Sequence, residues 1–208
     1  MFFLILSMIF TFTTSTDFVN KLTEPVFAPS KTPVKVTRTH FDADGNELFK
    51  EYIYKEDNKI RIDHKLGEKT ETVFVYNGKT GYRDGIEIPH IQSAEMVLYG
   101  CTCGYLETID NITNESNELV AEGRQGNRLY IAYDTDLPIK YQFRSKTVEF
   151  TDYRNVDGFG KMPFLIKISG KKGLAETIKI TDIESPVVLP INFFSVPKLS
   201  KKMIKTLN

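Results

Sequence analysis

The most constraining feature of this sequence is an alternation of apolar and polar residues in its last quarter, from Lys146 to Lys198. A period of two indicates β-strands that bury one face. Turns rich in Gly and Asn, at 155–158 and 170–173, separate the alternating runs. The sequence therefore predicts an antiparallel meander with one apolar face and one polar face. The apolar positions are Val148, Phe150, Phe164, Ile166, Ile168, Ile178 and Ile180.

The alternation shifts by one position after Ile180, because Ile183 has the opposite parity. A β-bulge near Thr181 and Asp182 would return Ile183 to the buried side and bend the strand.

Strand patterns also recur upstream, at spacings that are typical of an antiparallel sheet or barrel. With the C-terminal runs they predict roughly eight to eleven strands. The upstream candidates are Val34–Phe41, Leu48–Lys55, Lys59–Leu66, Thr72–Tyr76, Thr80–Ile88, Glu118–Glu122, Arg128–Asp134 and Ile139–Arg144.

Three segments interrupt the strands. Between Pro89 and Tyr99, the residues Ile91, Ala94, Val97 and Leu98 recur at helical spacing, and Gly100 is a helix stop. The polar stretch Cys101–Asn117 predicts a loop. In Asp17–Pro33 three prolines leave room for little more than one helical turn, at Phe18–Leu22.

The C-terminal quarter resembles the LolA/LolB-like family of periplasmic lipoprotein carriers, the outer-membrane lipoprotein-sorting proteins. The residues that carry the resemblance are Tyr153, Val156, Gly158, Pro163, the strand Thr177–Thr181, Phe194 and Pro197. The resemblance implies an unclosed antiparallel β-barrel, mainly β within the α+β class, with one or two helices covering its concave face. Members of that family open with a long amphipathic helix, which this sequence does not predict.

The first residues, 1–16, form a short apolar run followed by small hydroxyl residues. The run has the length of a signal-peptide core, and the sequence predicts an exported protein, periplasmic by resemblance. No Lys or Arg precedes it, and a core strand is the alternative. We expect residues 17–198 to form a single domain and residues 199–208 a basic tail.

Composition and motifs give no sign of an enzyme. Lys and Arg together equal Asp and Glu, at 27 each, so no basic field indicates a nucleic-acid partner. His40, His64 and His90 lack metal-ligand spacing, and we expect no metal and no cofactor. Cys101 and Cys103 could form a strained disulfide, a redox pair or half of a shared metal site; alternatively, they are loop thiols or link to a partner.

The remaining candidate is the apolar face itself. We expect twelve residues to line the concave side, with Ile91, Ala94, Val97 and Leu98 forming a lid helix. Together with the resemblance, this indicates a non-enzymatic carrier of lipoproteins or acyl chains, with membrane-associated delivery proteins as further partners. The alternative is a structural module that binds a protein partner with the same half-barrel. The twelve residues are Ile60, Ile62, Phe74, Tyr141, Phe143, Val148, Phe150, Phe164, Ile166, Ile168, Ile178 and Ile180.

Overall fold

This computed structural model describes residues 15–100, 104–107, 109–115, 118–123 and 126–196. In that part of the chain thirteen strands form one sheet, accompanied by two helices. The first half contains α1 (Ser15–Phe27), β1 (Ser30–Asp42), β2 (Glu47–Asp57), β3 (Lys59–Leu66), β4 (Lys69–Tyr76), β5 (Gly81–Arg83), β6 (Ile86–Ile88) and α2 (His90–Tyr99). The second half contains β7 (Ile109–Glu115), β8 (Glu118–Gly123), β9 (Arg128–Ala132), β10 (Leu137–Phe143), β11 (Lys146–Val156), β12 (Gly160–Gly170) and β13 (Gly173–Glu184).

The sheet joins two meanders through its central strands. Its order is β6-β5-β4-β3-β2-β1-β13-β12-β11-β10-β9-β8-β7, and every neighbouring pair is antiparallel. The strands β6 and β7 are the two edges, and they do not pair with each other in the described residues. The sheet is therefore the open, mainly β architecture that the sequence predicted, with two helices.

One face of the sheet, the inner face, carries the hydrophobic core. Val36 lies opposite Ile53, which in turn lies opposite Ile62. On the other side of the centre, Phe150, Ile166 and Ile178 form a second cross-strand row. Because paired residues share a face, these rows confirm the parity read from the sequence. All six side chains are buried.

Two local predictions are confirmed. The pairing of β1 with β13 passes from Thr37–Asp182 to Arg38–Ile180, so the bulge falls at Thr181. It sets Ile183 opposite Val36, on the inner face, but Ile183 stays exposed, so the expected burial of this residue was wrong. The helix α2 ends where predicted, since Gly100 adopts the left-handed conformation with φ of 72° and donates its N–H to the carbonyl of Met96. Ala94, Val97 and Leu98 are buried.

The prediction of a single helical turn before the sheet was wrong. Helix α1 has 13 residues, although it contains Pro25, which has no N–H for the helical hydrogen bond. Phe18, Val19 and Val26 are buried in the core. Burial of this apolar side stabilises the helix and outweighs the local effect of the proline.

The number of strands was also underestimated. The run Thr80–Ile88 is divided into β5 and β6 by a turn at Asp84 and Gly85, both with positive φ. The stretch predicted as a loop, Cys101–Asn117, contains β7, whose polar residues hide the strand pattern. Neither described helix has the length and hydropathy needed to cross a membrane.

Candidate functional site

The twelve residues predicted to line a cavity all belong to the core or its border. Phe143, Phe164, Ile168 and Ile180 are partly buried and pack against the core, and the other eight are buried within it. The inner face is thus mostly packed. In the described residues, one opening of this face lies at β10 and β11.

An apolar cavity of about 490 Å³, the inner pocket, lies at this open end. Its walls are Tyr105, Tyr141, Phe143 and Val148, and the hairpin residues Arg144, Ser145 and Lys146 form its mouth. Ligand pockets in proteins commonly measure roughly 300–1,000 Å³ and are mainly apolar with a few polar groups. The inner pocket therefore has the size and lining of a site for one small apolar ligand.

A second depression is larger, at about 580 Å³, but its lining is different. It contains Phe164 and Ile180 together with the charged side chains of Asp152, Arg154 and Lys179. Of the predicted lining residues, Tyr141, Phe143 and Val148 reach the inner pocket, whereas Phe164 and Ile180 meet at this charged depression.

Aromatic contacts connect the inner pocket with the end of α2. The ring of Tyr105 lies 4.1 Å from that of Tyr141 and 5.8 Å from that of Phe150, between centroids. Tyr99, the last residue of α2, lies 4.7 Å from Phe150 and 5.7 Å from Tyr105. Three of these distances fall in the range of favourable aromatic pairs, and the Tyr105–Tyr141 contact is slightly closer. Tyr105 therefore covers the pocket as part of a cluster that includes the helix.

The residues 104–107, the covering segment, are attached to α2 by Glu95. This buried carboxylate accepts hydrogen bonds from the backbone N–H of Gly104, at 2.9 Å, and of Leu106, at 2.6 Å. Hydrogen bonds to a carboxylate are stronger than neutral ones. Helix α2 and the cover of the pocket are therefore mechanically coupled.

The C-terminus of α2 rests on Arg38 of β1. The guanidinium donates from Nη1 to the carbonyl of Met96, at 3.5 Å, and from Nη2 to that of Val97. It also forms an ion pair of 3.0 Å with Glu51 on the neighbouring strand, and both side chains are buried. A cation at this end satisfies the last carbonyls and complements the helix dipole.

Glu51 stays ionised although it is buried. Burial by itself would raise the pKa of this carboxyl group. The charge of Arg38, a hydrogen bond from His64 Nε2 and the charge of His40 together hold the pKa below its ordinary value. The network therefore keeps a paired, charged anchor beneath α2.

A second buried cation, Lys55, holds the C-terminus of α1. Its Nζ donates to the carbonyl of Val26, at 2.6 Å, and to that of Gly158 in the turn before β12. Burial lowers the pKa of Lys55 to about 8. Each helix thus ends on a cation that projects from the inner face.

Sequence reasoning missed Arg38, Glu51, Lys55, Glu95 and Tyr105. For three of them a signal was present: Arg38 continues the inward parity of Val36, and Glu51 and Lys55 flank Ile53 at the same parity. A charge at an inward position needs a buried partner. Cys101 and Cys103 lie outside the described residues.

No family model and no curated protein matches the chain. The chain is similar to a LolA superfamily protein from Nitrosomonas europaea, with 14% identity, a TM-score of 0.46 and coverage of 88% of this chain and 98% of that one. A DUF1329 family protein from Desulfovibrio piger has 10% identity and a TM-score of 0.46, covering 87% and 95%.

A third similar structure is a putative outer membrane lipoprotein-sorting protein domain from Vibrio parahaemolyticus. Its identity is 9% and its TM-score 0.45, and the match covers 86% of this chain and 97% of that one. Two of the three similar structures are named for the LolA superfamily or for outer membrane lipoprotein sorting.

Proposed function

We propose that this protein is a non-enzymatic binder and carrier of acyl chains, and that one chain occupies the inner pocket. The observation that carries the proposal is the apolar cavity of about 490 Å³ between Tyr105 and the strands β10 and β11. Each buried methylene group contributes about 0.8 kcal/mol. A single chain in this pocket would therefore bind usefully without any catalytic group.

The lid in this proposal is helix α2 together with the covering segment. Glu95 ties the segment to the helix, and Arg38 holds the end of the helix on the sheet. Opening requires the contacts of Arg38 with the carbonyls of Met96 and Val97 to be released, while the pair with Glu51 can remain. A hinge motion of such a lid would let the ligand enter and leave, and the closed lid would exclude water from the ligand.

The cellular role follows from the sequence resemblance and the predicted signal peptide at 1–16. We place the protein outside the cytoplasm, in the periplasm of a bacterial envelope, as a carrier of lipoproteins or other acylated molecules. Membrane-associated proteins would load and unload it. The single domain is proposed to span residues 17–198.

Native mass spectrometry of the exported protein, followed by lipid analysis, tests the proposal. We expect a stoichiometric acyl adduct. The variant Phe143→Ser removes one wall of the pocket and should weaken binding of a decanol probe roughly tenfold. Phe41→Ser is the matched control, because Phe41 is also half-buried beneath a cation, Lys179, but lies on β1.

The outcomes distinguish the acyl-chain carrier from a module that binds a protein partner. An adduct that is lost in Phe143→Ser and kept in Phe41→Ser supports the carrier. A clean apo mass, with no uptake of decanol, rejects it and leaves a module that binds a protein partner.

A further inference from the structure

The mouth of the inner pocket carries positive charge on the same face as its apolar walls. Lys146 pairs with Phe143, and Val148 pairs with Tyr141, in the register of β10 and β11. Phe150, Val148 and Lys146 are two residues apart along β11 and therefore lie on one face. Paired residues share a face, so Tyr141 and Phe143 lie on it as well. Along this face, the apolar side chains of Phe150 and Val148 are buried, whereas the cationic side chain of Lys146 at the rim is exposed.

The second cation at the mouth is Arg144, which lies in the hairpin turn. Arg144 has φ of 52°, a left-handed conformation in the two-residue connection between β10 and β11. Its guanidinium lies 4.9 Å from the ring centroid of Phe143, a wall of the pocket. The cation therefore sits beside the apolar lining.

Neither cation is neutralised by a side chain that the structure describes. Within the described residues, neither Arg144 nor Lys146 forms an ion pair. The only acidic residue from Leu137 to Thr151 is Glu149, which pairs with Lys140 and thus has the opposite parity to Val148. In the covering segment, the carboxylate of Glu107 accepts a hydrogen bond from Gln92 of α2, at 2.6 Å.

Given the proposed function, on which this step rests, we infer that the ligand is a single-chain amphiphile with an anionic head. Its chain fills the space between Tyr105, Tyr141 and Val148, and its carboxylate or phosphate group lies between Arg144 and Lys146. An acidic head satisfies both cations, whereas the hydroxyl group of an alcohol leaves them to solvent. The pocket is thereby selective for acids over neutral lipids of equal chain length.

Calorimetric titration with decanoate, decyl phosphate and decanol, all below their micelle concentrations, tests the inference. We expect both acids to bind about five- to tenfold more tightly than decanol at low salt. The advantage should shrink at high salt, because the cations are exposed. The tighter of the two acids identifies the head as carboxylate or phosphate.

The double variant Arg144→Gln/Lys146→Gln should reduce the affinity for the acids to that of wild-type protein for decanol. Lys172→Gln, an exposed change in the turn between β12 and β13, is the control and should keep the preference for acids. Equal binding of acids and decanol by the wild-type protein overturns the anionic head but leaves the carrier intact. Failure of all three probes to bind overturns the carrier and the inference together.

Discussion

Arg38 and Glu51 form a buried ion pair of 3.0 Å between two central strands, and the same guanidinium holds the C-terminus of α2. Without Arg38, the buried carboxylate of Glu51 keeps only the hydrogen bond from His64 and the weaker effect of His40. We expect Arg38→Met to lower the free energy of unfolding by about 3–5 kcal/mol, measured by urea denaturation.

Two further variants make this result specific. Lys69→Gln breaks an exposed pair with Glu71, 3.5 Å apart, and should have little effect. Replacing both buried partners, with Arg38→Met and Glu51→Met, should recover most of the loss. If Arg38→Met were as mild as Lys69→Gln, the anchor would contribute nothing to stability.

Gly100 allows the end of α2 to approach this pair. Gly100 and Gly126 both have φ of 72°, but a Cβ at 100 would lie 3.3 Å from Arg38 Nη1, whereas a Cβ at 126 meets nothing within 4 Å. We expect Gly126→Ala to cost about 1 kcal/mol from the left-handed backbone alone. Gly100→Ala should cost about 1 kcal/mol more, because Arg38 must shift. If thermal unfolding shows the same loss of stability for both variants, the added Cβ at position 100 does not clash with Arg38.

Because of Lys55, the free energy of unfolding should change with pH in the alkaline range. Its pKa is lowered from 10.5 to about 8 in the folded protein, so between these values the unfolded chain binds more protons. Stability from this group therefore rises with pH across that window. We expect wild-type protein to gain about 2–3 kcal/mol relative to Lys55→Met between pH 8 and pH 10.5. Urea titrations measure the difference in unfolding free energy between the wild-type protein and Lys55→Met. If this difference does not change with pH, the charge of Lys55 is not buried.

Glu95 should control the covering segment. In Glu95→Gln the backbone N–H groups of Gly104 and Leu106 lose their bonds to a charged acceptor. We expect amide hydrogen exchange at Leu106 to become at least about tenfold faster. Glu107→Gln is the control, since Glu107 contacts Gln92 instead. If the amide hydrogen of Leu106 exchanges at the same rate in both variants, Glu95 does not couple α2 to the covering segment.

Period and parity predicted much of this fold. The inward rows, the bulge at Thr181 and the stop of α2 at Gly100 follow from local pattern. Helix α1 and strand β7 did not, because Pro25 and the polar sequence of β7 oppose the structure that tertiary contacts select.

The candidate site was predictable only in part. Tyr141, Phe143 and Val148 were expected from alternation, and they line the inner pocket. Tyr105 lies in a segment with no period. The hydrogen bonds of its neighbours Gly104 and Leu106 to Glu95, together with its own aromatic contacts, hold it over the pocket. Such a contact depends on the path of the chain between helix and sheet, which no short-range pattern encodes.

The most direct test of the central claim is anomalous diffraction from crystals of the protein with ω-brominated decanol, a neutral probe that does not depend on Arg144 or Lys146. We expect one bromine peak inside the inner pocket, next to Tyr105, Tyr141 or Phe143. A peak confined to the charged depression at Asp152 and Arg154, or no bound bromine at saturating probe, would contradict it.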